Sequence, residues 1–443
     1  MRGSTFAFPF LTASLSLASG ASGQHVWVDV ISGDDLTGTG AKSAPFATIG
    51  KGVQVLGTVA GPTILHVEPG SYGPSTGEAF PIVIPPQMTI RGDAAATTQV
   101  SGEGNGVVLF RLDRESVVSD LTLTRADVAI ESSGPGFASN VRVVRRCVVH
   151  DSGVGLHCSD GPHADLGTIV LNSLFFANDV AILAESTGYD FQSTSVLVYG
   201  STITKNANGL VATGVLERYL GLFDSIVYGN GSDAISNWSA IFPGITGNVL
   251  GDPTYVGTGG NVGLDPLLVE PASGDGHLRV TSPAVDLSSP PVAWPPAPAW
   301  LGPATWVWEW TYEEIAELDG DDRIGVTTDP GADELVVPTL YAHGRTRVGQ
   351  TFRLRVTSHP NEPIPVFAAA GLLSAPIGGF FWLAAPAVPI ATMATDGDGL
   401  ADLPIAVPNV PAWVGLDAHL QGFRSLGGGA YEGTRPVRVR LQP

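Results

Sequence analysis

The chain has 443 residues, enough for two or three domains, with 42 acidic against 22 basic residues and a net charge of −20. That polyanionic balance speaks against nucleic acid and anionic lipid as partners. A 44% hydrophobic content excludes global disorder, and 56 glycines, 34 prolines and only 14% charged residues point to a turn-rich β protein.

Residues 1–23 read as a secretory signal. Arg2 supplies the charged start, Phe6 to Leu17 the short apolar stretch, and Ala21-Ser22-Gly23 the small residues before Gln24. No other stretch has the length of a membrane span. The expected location is therefore secreted or cell-surface, and the expected state a monomer. His25 to Val30 alternates as a strand does. Apolar residues at Phe46, Ile49, Val53, Leu56 and Val59 have helical spacing, despite three glycines. Short strands are predicted at Thr63 to Val67, Phe80 to Ile84 and Met88 to Arg91.

Four segments in this region stand in a recognisable order: SAPFATI (Ser43 to Ile49), ILHVEPGSY (Ile64 to Tyr72), GEAFPIVIP (Gly77 to Pro85) and MTIRGD (Met88 to Asp93). Together they resemble an N-terminal domain of unknown function, the 1565 type, found at the start of secreted β-helix proteins of the pectin-lyase-like group. The resemblance covers about residues 25 to 100. It implies a capped β-helix and no assigned activity.

From 119 to 238 one pattern recurs. Marker segments begin at Asp120, Arg146, Ser173, Ser201 and Ser225, spaced 26, 27, 28 and 24 residues apart. Five positions on stand Arg125, Asp151, Asn178, Asn206 and Asn230; five further on stand Ile130, Leu156, Leu183, Val211 and Ile235. Three short strands per unit cannot bury their apolar faces alone, but stacked units can. The predicted fold is all-β: a right-handed parallel β-helix followed by a small β-sandwich. A propeller is the poorer reading, because its units are longer, at roughly 40 residues. Asn178, Asn206 and Asn230 are expected to form an internal ladder, since asparagine suits turns and its amide both donates and accepts.

The period decays after 240. Gly276 to Ser289 and Asp319 to Glu334 resemble the closing turns of secreted bacterial β-helices. Between them lies a Pro- and Trp-rich insertion near 290–310. The resulting division is signal 1–23, cap and first coils 24–100, β-helix 101–336 and a C-terminal β-sandwich at 337–443. The last resembles modules appended to exported bacterial proteins, which implies sorting or surface attachment.

Chemistry is sought on the outside of the coils. A lyase of acidic glycans needs a base and a neutralised carboxylate; calcium would be a natural cofactor. The candidate residues are Lys205, His150, Arg145, Asp151 and Asp224. His150 and Lys205 are read as equivalent positions two coils apart, about 10 Å. The plain alternative is a solvated turn residue at each. No paired aspartates suggest a hydrolase. Asp160 and Asp165, beside His157 and His163, offer a possible metal site, as do Asp319 and Asp321; Asp396 and Asp398 recur in a similar turn. Ordinary turns are the better reading of these Asp-Gly segments, since Asp-Gly is a common turn dipeptide. Trp300, Trp306 and Trp308 are candidates for stacking on sugar, or else for plugging the end of the core. Cys147 and Cys158 form either one disulfide or two buried thiols. The function that follows is engagement of extracellular polysaccharide, with lyase activity as one form of it. The alternative is a non-catalytic surface or adhesion protein with the solenoid as stalk.

Overall fold

The computed structural model describes residues 24–134, 140–160, 166–186, 193–214, 217–235, 237–238, 240–287, 329–332, 338–344, 346–377, 381–428 and 430–442. Its larger part is a parallel β-helix with three sheets of nine, eight and six strands. One coil illustrates the plan: Asn140–Arg145 in the first sheet, Val148–His150 in the second and Val154–Asp160 in the third. Each strand pairs in parallel with its counterpart one coil earlier and one coil later. Six coils carry all three strands, from the coil of Thr63–Val67 to that of Ser193–Tyr199. Inward residues such as Leu123, Val149, Phe175 and Ile203 stack into one continuous core.

The bends set the register. Between the first and second sheets Asp120, Arg146, Asn172, Gly200 and Asp224 all take a left-handed backbone, with φ of 44° to 61°. Between the second and third sheets Arg125, Asp151, Ala177 and Lys205 do the same, with φ of 52° to 56°. Strand pairing of Val148 with Leu174 and of Leu174 with Thr202 fixes these as equivalent columns. The expected equivalence of Arg125 and Asp151 with Asn178 is therefore one residue out. A slip of one exchanges inside for outside: the buried aliphatics are Ile182 and Leu210, not their neighbours Leu183 and Val211.

The residue after each bend is the internal one. Ser152 N donates to Asn178 Oδ1, Asn178 N to Asn206 Oδ1 and Asn206 N to Asn230 Oδ1, at 3.0 to 3.1 Å. The ladder ends where Asn230 N donates to Asp233 at 3.0 Å. A second ladder runs along the other bend through Ser173, Ser201, Ser225, Asn248 and Asn261. Both ladders supply acceptors to N–H groups that turn away from the sheets, which a buried bend requires. Cys147 stands at the head of the serine column, and Cys158 lies in the third sheet; both are free, buried thiols. Burial pushes them up to about 12 and about 11.

The predicted helix is present as Ile49–Leu56, burying Ile49, Val53 and Leu56 over the N-terminal end of the core. Its start is fully capped. Thr48 Oγ1 accepts from Lys51 N, and the Glu78 carboxylate accepts from Ile49 N and Gly50 N. Asp35 in turn fixes Ala47 N and Thr48 N. Glu78 is buried, and that burial raises its pKa to about 7 against the pull of the two amide donors. A carboxyl with a raised folded pKa favours folding while protonated in both states, and that contribution falls as pH rises from the unfolded value towards the folded one. Stability should therefore drop between about pH 4.5 and 7 by about 2–3 kcal/mol on this group's account. Glu78→Gln, which keeps an acceptor without the charge, is expected to flatten that window. Urea titrations at pH 4.5 and 7.5 check it, and an unchanged difference between the two pH values in the variant would refute the assignment.

The C-terminal part is antiparallel, as expected. Thr339–His343, Thr351–Thr357 and Leu400–Ala406 form one sheet. Val388–Ala394, Pro363–Ala369, Asp417–Gly427, Ala430–Gly433 and Val437–Arg440 form a second, and Leu372–Ile377 pairs with Phe381–Leu383 in a two-stranded third. Leu354 and Val356 of the first meet Ile364, Val366, Leu420 and Val439 of the second in one shared core. Among the described residues no helix is long and apolar enough to cross a membrane.

Candidate functional site

One outer flank of the solenoid is the outer face of the second sheet. Over several coils it is covered. Leu268, Leu278 and Ala284 pack on Ile226 and Val249, and Ala332 packs on Leu174 and Phe176. Ala332 N also donates to Thr202 Oγ1 at 3.0 Å. The hairpin of Leu268–Glu270 and Asp275–Leu278 reaches so close that a Cβ on Gly274 would stand 2.5 Å from the Phe176 ring. Gly274 also has φ 85°, so glycine is required there on both counts.

Where this cover meets the antiparallel module a cavity of about 290 Å³ remains. Its floor is the second sheet, through Gln99, Thr122, Val148, His150 and Phe176; its walls are Ser273 to His277 and Tyr341 to Gly344. Three of the chain's nine histidines line it: His150, His277 and His343. The organising group is Asp275, whose side chain is fully buried. Oδ1 accepts from His277 N at 3.1 Å and pairs with His277 Nδ1 at 2.8 Å. Oδ2 accepts from Tyr341 OH at 3.1 Å and from Arg355 Nη1. Arg355 also binds Glu270 and reaches Asp402 at 3.3 Å. Burial opposes charge on Asp275, yet His277, His343 and Arg355 hold its carboxyl well below the usual range. With Asp275 on Nδ1, the basic nitrogen of His277 is Nε2. The His277 ring stacks on Tyr341 with centroids 3.7 Å apart. His343 Nε2 lies 3.2 Å from Ser273 Oγ, and burial lowers its pKa.

Among the described residues singled out from the sequence as site candidates, His150 alone lines this cavity. It stacks on Phe176 and its Nδ1 lies 2.8 Å from Asp151 Oδ2. The expected equivalence of His150 and Lys205 is corrected by the register: His150 pairs with Phe176 and then Thr204, whereas Lys205 sits in the bend column with Asp151. Asp224 belongs to the other bend, and Arg145 is a buried residue of the first sheet. Arg142 lies wholly inside the solenoid, donating to Leu112 O at 3.1 Å and Ser133 O at 3.3 Å. The proposed set therefore does not converge. Trp300, Trp306, Trp308, Asp319, Asp321 and Asp165 lie outside the described residues, as does the side chain of Asp160. Asp396 accepts from Asp398 N and Leu400 N, as in an ordinary turn. Among the described residues no three His, Cys, Asp or Glu side chains are placed to hold a metal ion.

Gln99, Asp275, His277, Tyr341 and His343 were not singled out by sequence reasoning. Their one visible signal is histidine itself, scarce in this chain and twice placed next to glycine, at Gly276-His277 and His343-Gly344.

A family model described as "Protein of unknown function (DUF1565)" matches residues 31–112, under a fifth of the chain. The matched stretch holds Asp35, Thr48 and Glu78, the groups that cap the helix, and the first two complete coils. No curated protein matches the chain.

Proposed function

We propose that the chain is an exported, monomeric protein that engages extracellular polysaccharide, and that the junction cavity is where a sugar unit sits. The observation that carries this is the cavity itself. It combines apolar surface from Val148, Phe176 and Tyr341 with convergent amide, hydroxyl and imidazole groups, and it approaches the lower bound of about 300 Å³ for small-ligand pockets. The solenoid gives it a rigid base and the antiparallel module closes one side. The reading that residues 1–23 direct export belongs to the same proposal.

Binding is favoured over lyase chemistry because Lys205, Arg145 and Asp224 stand away from the cavity, on bends or in the first sheet. This agrees with a surface or adhesion role for the whole molecule. The test is retention of the purified chain on immobilised polysaccharides, neutral and acidic, beside an Ala96→Trp variant that fills the rim from an exposed position. Retention that the variant loses is the expected result. Absence of retention on every polysaccharide would overturn the proposal, and unsaturated product released from an acidic one would replace it with the lyase reading.

A further inference from the structure

We infer that the junction cavity selects a neutral, hydroxyl-rich sugar unit rather than a uronate, and that Gln99 is the side chain that orients it. This rests on the glycan-binding reading above and narrows its substrate class.

The first ground is charge. No lysine or arginine is among the described residues that line the cavity. Among the described residues the nearby guanidinium of Arg355 is committed to Asp275, Glu270 and Asp402, and that of Arg353, paired with His343 across the sheet, is held by Asp402 at 2.7 Å. The imidazoles do not replace them, because each already faces a carboxylate, and His277 and His343 share Asp275. His150 has Asp151 at 2.8 Å, His277 has Asp275 at 2.8 Å, and His343 has Asp275 at 4.0 Å with Glu270 acting on it as well. Among the described residues a uronate carboxylate would find no uncommitted counter-charge, and burying it so is costly. It would first have to approach a molecule of net charge −20.

The second ground is Gln99. It stands on Thr98–Ser101, paired with Ser71 and Thr122, and is only 8% exposed. Its Nε2 is buried and makes no hydrogen bond within the protein. A buried donor without an acceptor costs about 1–3 kcal/mol, and because Gln99 lines the cavity, a ligand acceptor reached by a small turn of its side chain would offset that cost. A sugar hydroxyl accepts from the amide and can pass its own proton on to a neighbouring imidazole or hydroxyl. The cavity offers both, since imidazole and Ser273 Oγ can each donate or accept. Carboxylates only accept, so they leave those acceptor sites unmatched.

The test is calorimetry with neutral oligosaccharides (glucan, mannan and xylan fragments) and uronate oligosaccharides (pectate and alginate fragments), at low and high salt. Wild type, Gln99→Leu and Ala96→Trp are compared. Gln99→Leu removes an unpaired buried donor, so it should fold at least as stably as wild type. The expected result is salt-insensitive binding of a neutral fragment, weakened at least tenfold by Gln99→Leu and abolished by Ala96→Trp. Neutral binding indifferent to both variants would overturn the inference and leave glycan engagement standing. Tighter binding of uronates, lost in the same variants, would overturn the neutral class. Binding of no fragment, together with no retention on any polymer, would overturn the inference and the broader proposal at once.

Discussion

Asn206→Ala is expected to destabilise the solenoid by about 3–4 kcal/mol, among the largest effects of any single substitution in it. The Asn206 side chain is the middle rung of the asparagine ladder. Oδ1 accepts from Asn178 N and from Asn178 Nδ2, each at 3.0 Å. Nδ2 donates to Phe175 O and Thr204 O at 3.0 Å and to Asn230 Oδ1 at 2.9 Å. Alanine removes all five bonds and leaves the Asn178 N–H buried without an acceptor. Because each coil is held only by its neighbours, the loss at one rung weakens both coil interfaces at once. Asn208, two residues on, is the control. Its Nδ2 donates to Asp179 O at 3.2 Å in a solvent-exposed bond from a half-buried position, so Asn208→Ala should cost under about 1 kcal/mol. Urea unfolding followed by circular dichroism separates the two. Equal midpoints for both variants would show that the ladder contributes nothing beyond ordinary turn bonding.

The ladder also shows what was legible. Asn178, Asn206 and Asn230 could be read as internal because asparagine at a bend has a physical job that few residues share. The coil period followed from them, and with it the fold. The register did not. Both bends have the same local grammar, a left-handed residue followed by a ladder residue. In the early coils the conspicuous residues are the bend ones, Asp120 and Arg146; in the later coils they are the ladder ones, Ser173 and Ser201. Anchoring on what is conspicuous therefore slips by one between Arg146 and Ser173, and strand pairing alone corrects it. The helix cap was legible as a helix but not as a cap, since Glu78 reaches it from the far side of a coil. The cavity was not legible at all. Its groups come from the coil of Gln99, the coil of His150, the hairpin of Asp275 and the module strand of Tyr341, and no local pattern ties these together.

Arg355→Met is expected to cost about 3–5 kcal/mol, concentrated at the junction between solenoid and module. The guanidinium is buried and joins Asp275 and Glu270 of the hairpin to Asp402 of its own sheet. Methionine fills much of the volume but strands Asp275, whose carboxylate is held in its charged form by these neighbours. In wild type that carboxyl has a folded pKa below its unfolded one. The stabilisation it contributes is therefore complete above the unfolded value, near pH 4, and is lost only as pH falls further. With Arg355 gone the folded pKa of Asp275 should rise towards or past the unfolded value. The variant's deficit should then be largest near neutral pH and shrink in acid, the reverse of simple acid lability. Arg355→Met combined with Asp275→Asn removes the stranded charge and should recover a substantial part of the loss. Hydrogen exchange in Asp275–Leu278 and Thr339–His343 reads the junction directly, with the asparagine ladder as the internal reference. If exchange rises equally in both places, or if the double variant is no better than the single, the junction is not held by this ion cluster. The cavity depends on the same cluster, because Asp275 sets the His277 ring and the stacked Tyr341 against it. Loss of Arg355 should therefore loosen the wall of the cavity while leaving its floor, Gln99 and Thr122, in place.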